Sequence, residues 1–178
     1  MADYTARVYH LNPAPGTPRD TSQGTNGMAE NLKLARLYLL LLASFTVGRW
    51  LLGTFGVPYE RSHYLFSIVI MTLHSAFFYG AFCRRWRRFR LWQAAGLAIT
   101  LGIMSQLVIF AATLLSYALG LHTYFNHPTA LFGPQAPLTD VPLGQAVLSR
   151  VGGLIVNPIL TGIAGALGWA AGGLLPEN

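Results

Sequence analysis

The sequence predicts an all-α membrane protein, a bundle of four transmembrane helices with both termini on the cytoplasmic side. Hydrophobic residues make up 53% of the 178 residues and charged residues only 10%, which is too apolar for an ordinary soluble domain. Four continuous apolar runs are long enough to cross the ~30 Å hydrocarbon layer as helices. Lysine and arginine are also distributed unevenly among the segments outside these runs.

The predicted membrane domain covers residues 34–178. Its four spans are expected at 37–57, 64–83, 91–119 and 147–175, with an outer loop at 120–146. A membrane β-barrel would show stretches of about ten residues with alternating polarity, so these continuous runs favour helices. The polar remainder is too short for a separate soluble domain.

Residues 1–33 precede the first span and are rich in Pro, Gly, Ser and Thr. They contain no apolar stretch long enough to be the core of a signal peptide. A segment of this composition cannot bury enough apolar surface to fold alone. We predict a polar N-terminal tail that is either disordered or held by a neighbouring subunit.

Five arginines lie in the stretch RRWRRFR, between the second and third spans. Cytoplasmic segments carry an excess of Lys and Arg. With four spans, nine of the 12 Lys and Arg residues fall on the side of the termini, and only Arg61 and Arg150 fall on the other. The termini are therefore predicted to be cytoplasmic, in a bacterial inner membrane or an organellar membrane.

The same five arginines are expected to attract anionic lipid headgroups. They are Arg84, Arg85, Arg87, Arg88 and Arg90. Trp86 and Phe89 among them are reminiscent of single-stranded nucleic-acid sites, where bases stack on aromatic rings. A connection this short leaves no room for such a groove, so we expect no nucleic-acid partner.

Polar side chains inside the predicted spans are functional candidates, because polarity is unfavourable in hydrocarbon. They are Arg49, His74, Gln106 and Asn157. At 1.5 Å per residue, His74 and Asn157 come near the midplane, whereas Arg49 and Gln106 lie closer to the outer surface. The latter two could meet each other, or reach towards Glu60, Asp140 or water.

His74 is the strongest candidate for binding a cofactor, because an imidazole at this depth can ligate a haem iron or a chlorophyll magnesium. Chlorophyll fits better, since it needs one axial ligand and no second histidine lies within a span. The alternative is a hydrogen bond between helices, with Asn157 as a partner. His63, His122 and His127 on the outer side could hold zinc, but they lack an accompanying Cys or carboxylate pair, so no metal site is predicted.

Small residues predict where the helices pack closely. Ala94, Ala98 and Gly102 recur every four residues in the third span, and the fourth span carries two such rows. The residues expected to mediate packing are Gly102, Gly153, Asn157, Gly165, Gly168 and Gly172. Pro158 should also kink the fourth span, because it leaves the carbonyl of Leu154 without its helical partner.

None of the six acidic residues lies inside a predicted span, and the motifs of phosphate-binding loops, zinc proteases and serine hydrolases are missing. We therefore expect a non-enzyme. The leading hypothesis is a non-catalytic subunit of a larger membrane assembly, for example a respiratory or photosynthetic one, with other membrane subunits and anionic lipids as partners. The alternatives are a subunit holding a chlorophyll or haem at His74, and a small transporter or lipid-handling protein.

Overall fold

Helices account for all the regular structure in the part of the chain that the computed structural model describes, residues 23–136 and 139–174. Most of the predicted N-terminal tail lies outside these residues. The described helices are α1 Gln23–Thr54, α2 Tyr59–Ser62, α3 Ile68–Arg87, α4 Leu91–Ala118, α5 Pro128–Phe132 and α6 Leu143–Gly172. The predicted all-α class is confirmed.

Three of these helices are long and apolar enough to cross a membrane: residues Ala35–Thr54 of α1, and the whole of α4 and α6. The remaining predicted span corresponds to α3. This helix has 20 residues, but it contains His74 and ends in arginines, which lower its hydropathy. Three helices long and apolar enough to span a membrane thus agree with three of the predicted spans, and a crossing by α3 stays a prediction.

The ends of α3 differ from the predicted span. The helix begins at Ile68 and not at residue 64, because Phe66 adopts a left-handed conformation with φ of 52° in the turn before it. It continues to Arg87, so only residues 88–90 connect it to α4. Arginines in the last turn favour this extension, since positive side chains complement the carbonyl end of a helix dipole. Arg88, also at φ 52°, then ends the helix.

α3, α4 and α6 pack closely together, and α1 lies more loosely against α3 and α4. The Tyr38 side chain of α1 is completely buried at this junction. Its hydroxyl donates a hydrogen bond to the carbonyl of Leu101 in α4 at 3.0 Å, and it lies 3.1 Å from Oγ1 of Thr72 in α3. The Tyr38 side chain therefore contacts both α3 and α4 and connects α1 to them.

Glycines allow α6 to approach α3 almost backbone to backbone. A Cβ atom placed on Gly168 would lie 2.7 Å from the carbonyl carbon of Phe77, and one on Gly172 would lie 2.6 Å from the carbonyl oxygen of Ala81. A Cβ on Gly80 of α3 would meet Trp169 N at 2.9 Å. No side chain fits between these helices at these points.

The other side of α6 contacts α4. A Cβ on Gly102 would lie 2.9 Å from Cα of Pro158, and Gly165 lies against the side chain of Ala98. α6 runs through Pro158 as one continuous helix, and Pro158 itself is buried in this contact. The small residues of α6 therefore serve two helix interfaces at once.

Candidate functional site

A groove of about 550 Å³ runs between α1 and α3, and His74 is the one imidazole that lines it. Its other walls are mainly apolar and aromatic, which is typical of small-molecule and cofactor sites. The lining residues are Leu37, Tyr38, Leu41, His74, Ser75, Phe78, Tyr79 and Phe82. His74 and Phe78 are exposed on the outer surface of α3.

The tautomer of His74 follows from its one hydrogen bond. Nδ1 lies 2.8 Å from the carbonyl oxygen of Ile70, one turn earlier in α3. A carbonyl oxygen only accepts, so Nδ1 carries the proton and donates it. In the neutral ring the lone pair is then on Nε2. A histidine that donates from one nitrogen to a backbone carbonyl is the arrangement found at metal-ligating histidines.

Asn157 does not pair with His74. It lies on α6 beside Gly153, where Gln106 of α4 also approaches: a Cβ on Gly153 would lie 2.9 Å from Oε1 of Gln106 and 3.5 Å from Nδ2 of Asn157. Gln106 is buried, and its Nε2 has no hydrogen-bond partner among the residues that the structure describes. The structure therefore brings Gln106 and Asn157 together between α4 and α6, away from the groove.

Arg49 reaches His63 and Tyr59, between α1 and α3, and not Gln106. Its guanidinium donates two long hydrogen bonds of 3.3 Å, to the carbonyl of His63 and to the hydroxyl of Tyr59. It also lies 5.6 Å from the centre of the Tyr124 ring, within range of a cation–π contact. Arg49 is half-buried, and its guanidinium contacts protein groups.

Arg150 shares a cavity of about 240 Å³ with Arg49. Sequence reasoning missed this role, because it counted Arg150, three residues into the span predicted at 147–175, only as a charge on the side opposite the termini. In the structure α6 begins four residues earlier, directly after Pro142, and Arg150 lies inside the helix. Its Nε donates to Oγ1 of Thr113 at 3.0 Å and its Nη2 to the carbonyl of Phe125 at 2.6 Å.

The arginines between α3 and α4 differ in their surroundings. Arg84 donates to the carbonyl of Trp169 at 3.2 Å, and its Cζ lies 4.0 Å from the centre of the Trp169 ring. Arg85 is half-buried, whereas Arg87, Arg88 and Arg90 are exposed. Arg84 thus binds the carboxyl end of α6, where a positive charge is favourable.

The histidines outside the predicted spans, His63, His122 and His127, do not form one cluster. His63 and His127 both stack on the ring of Tyr59, whereas His122 lies 4.0 Å from the carboxylate of Asp140. Burial lowers the pKa of His127 below its ordinary value, although the nearby Glu60 opposes this shift. Among residues 23–136 and 139–174, no group of three His, Cys, Asp or Glu residues is arranged to hold a metal ion.

No protein-family model matches this chain, and none of the curated proteins or solved structures is significantly similar to it.

Proposed function

We propose that this protein is a non-catalytic subunit of a larger membrane assembly, and that the groove between α1 and α3 is where a transmembrane helix of another subunit lies. One observation carries the proposal: His74 is exposed at the groove, on a helix packed among membrane-spanning helices. Leaving an imidazole in contact with lipid hydrocarbon is unfavourable, and such groups normally face protein, water or a ligand.

The packing of α3 supports four crossings rather than three. α3 contacts α6 at Phe77, Gly80 and Ala81, over a full turn of helix, with no room for side chains between the backbones. It also contacts α4, and through Thr72 it contacts α1. Because α3 lies alongside both α4 and α6, it would cross the bilayer with them. The arginines at its end would then be cytoplasmic and near anionic lipids.

A specific observation favours a second candidate, a subunit that holds a haem or chlorophyll. The Nδ1–H of His74 is already used by the Ile70 carbonyl, so Nε2 would offer its lone pair to a haem iron or a chlorophyll magnesium. Phe78 and Phe82 line the same groove and would contact the flat ring. His74 is the one imidazole among the residues that line this groove, which suits a group needing one axial ligand.

Purification in a mild detergent tests the leading proposal. The protein is expected to migrate on a native gel well above the mass of a few 19.4 kDa chains, with other polypeptides in the band. Replacement His74→Phe should reduce their recovery. The control His122→Phe changes an exposed histidine of the outer loop and should not. Migration of the wild-type protein as a monomer or small homo-oligomer alone would contradict the proposal.

Absorption spectroscopy separates the two candidates. A bound tetrapyrrole gives a Soret band in the purified wild-type protein, which His74→Phe should abolish and His122→Phe should preserve. Co-purifying polypeptides without such a band favour a helix of another subunit in the groove. A Soret band that persists in His74→Phe would exclude His74 as the ligand.

A further inference from the structure

A second site is a cavity lined by two arginines, one from the first long helix and one from the last. Arg49 comes from the end of α1 and Arg150 from the beginning of α6, and both line the 240 Å³ cavity below the outer loop. Arg49 lies about 8 Å from the end of its helix and Arg150 about 10 Å from the start of its own, at 1.5 Å per residue. Both guanidinium groups therefore lie at similar depth, near the outer membrane interface.

The charge of this pair is not balanced by an acidic side chain. Within residues 23–136 and 139–174, no carboxylate lies at ion-pair distance from either arginine. The four hydrogen bonds that they donate go to neutral acceptors, two hydroxyls and two carbonyls. The two groups also repel each other. Two half-buried positive charges with neutral partners are unfavourable unless an anion compensates them.

The donors that remain point to an oxyanion. An arginine has five N–H donors, and each of these two donates two hydrogen bonds to residues within 23–136 and 139–174. Tyr59, His63 and Ser67 also line this cavity and add polar groups to it. A phosphate presents several acceptor oxygens and matches the planar guanidinium forks well.

We propose that the cavity between Arg49 and Arg150 binds a phosphate group, carried either by an anionic lipid headgroup or by free phosphate. The volume is below the roughly 300–1,000 Å³ of pockets for drug-sized ligands, so it suits a headgroup or a small ion. Apolar side chains also line this cavity, among them Ile68, Ile70 and Ile109. Ile70 is exposed on the surface of α3, where an acyl chain would find apolar contact.

The full-length protein in detergent serves for the test, with two probes: phosphatidylglycerol, compared with phosphatidylcholine, and inorganic phosphate, compared with chloride at equal ionic strength. Arg49→Gln is the main variant, because its hydrogen bonds to the protein are long at 3.3 Å and their loss should disturb the fold little. Arg61→Gln is the matched control. Arg61 is an exposed arginine on the same side and does not line the cavity.

If the phosphate belongs to a lipid, native mass spectrometry is expected to show one phosphatidylglycerol on the wild-type protein and on Arg61→Gln. If the site binds free phosphate, inorganic phosphate but not chloride is expected to raise the Tm of the wild-type protein and of Arg61→Gln. In either case Arg49→Gln should bind about 10- to 100-fold more weakly, the equivalent of losing charged hydrogen bonds.

The proposal is overturned if the wild-type protein binds neither probe, or if Arg49→Gln binds as tightly as Arg61→Gln. Should Arg49→Gln fail to fold, Arg49→Lys keeps the charge and removes the planar fork. Arg49→Lys is expected to bind more weakly than the wild type, and wild-type affinity in this variant also overturns the proposal. None of these readouts depends on a partner subunit or on His74, so failure here is distinguishable from failure of the proposed assembly role.

Discussion

Gly168 of α6 lies against the carbonyl group of Phe77 in α3, with no space for even one additional carbon atom between the two helices. In hydrocarbon, helices gain little from burying apolar surface against each other, because lipid tails are equally apolar. Close packing of small residues supplies much of the association instead. This contact should therefore be a main determinant of how α3 and α6 are joined.

Replacement of Gly168 by Ala should destabilise the protein by about 1–3 kcal/mol, because the new methyl group overlaps backbone that cannot move aside. Gly152→Ala is the matched control on the same helix, where nothing lies within 4 Å of the added Cβ. It should be neutral or stabilising by up to about 1 kcal/mol, since alanine favours helices. Thermal unfolding in detergent measures both, and equal Tm values would contradict this assignment.

Tyr38→Phe should loosen α1 from the rest of the bundle. It removes the hydroxyl that donates to the Leu101 carbonyl and keeps the ring, so the expected loss is about 1 kcal/mol. Tyr64→Phe removes the same group from a side chain that is 72% exposed, and it should leave stability unchanged. If both variants unfold at the wild-type temperature, the contact between Tyr38 and Leu101 does not hold α1 in place.

Cysteine labelling should show whether α3 crosses the membrane. Cys83 is buried and is the only cysteine, so Cys83→Ser gives a background without thiols. Glu60→Cys, before α3, is expected to react with an impermeant maleimide added outside the cell. Arg88→Cys, after α3, is expected to react only after the membrane has been permeabilised. Reaction of both positions from the same side would mean that α3 does not cross.

Labelling of Glu60→Cys, in the same background without thiols, tests the role of the basic segment. Changing Arg84, Arg85, Arg87, Arg88 and Arg90 together to Gln should mix the two orientations, because the positive charge that favours the cytoplasmic side is removed. A single unchanged orientation would show that partners, and not these charges, determine the topology.

Stability should decrease in mild acid because of His127. Burial lowers the pKa of this histidine from its ordinary value of 6.5, so the folded protein binds fewer protons than the unfolded chain just below that pH. The free energy of unfolding must then decrease as the pH falls from 6.5 through the lowered pKa. His127→Phe keeps a ring to stack on Tyr59 and should flatten this dependence of Tm on pH.

The control for this effect is His122→Phe. His122 is exposed in the same outer loop, so its replacement should retain the acid dependence of the wild-type protein. If His127→Phe and the wild-type protein lose stability equally between about pH 8 and pH 5.5, a different group is responsible.

Three helices long and apolar enough to span a membrane could be predicted from the sequence, because the length of an apolar run must match the thickness of a bilayer. Helix ends were predicted less well. The start of α3 depends on a left-handed residue, Phe66, and the start of α6 on Pro142. Such local features alter an apolar run too little to be visible in its hydropathy.

Which residues meet was decided by the tertiary structure alone. Small residues at four-residue spacing indicated that α6 packs closely, but not that Gly168 faces Phe77 while Gly165 faces Ala98. The sequence placed His74 and Asn157 at similar depth, yet they belong to different surfaces of the bundle. Arg49 and Arg150 lie far apart in the chain and share one cavity. Apolar pattern determines the depth of a residue in the membrane, whereas the rotation and pairing of helices depend on how their surfaces fit together.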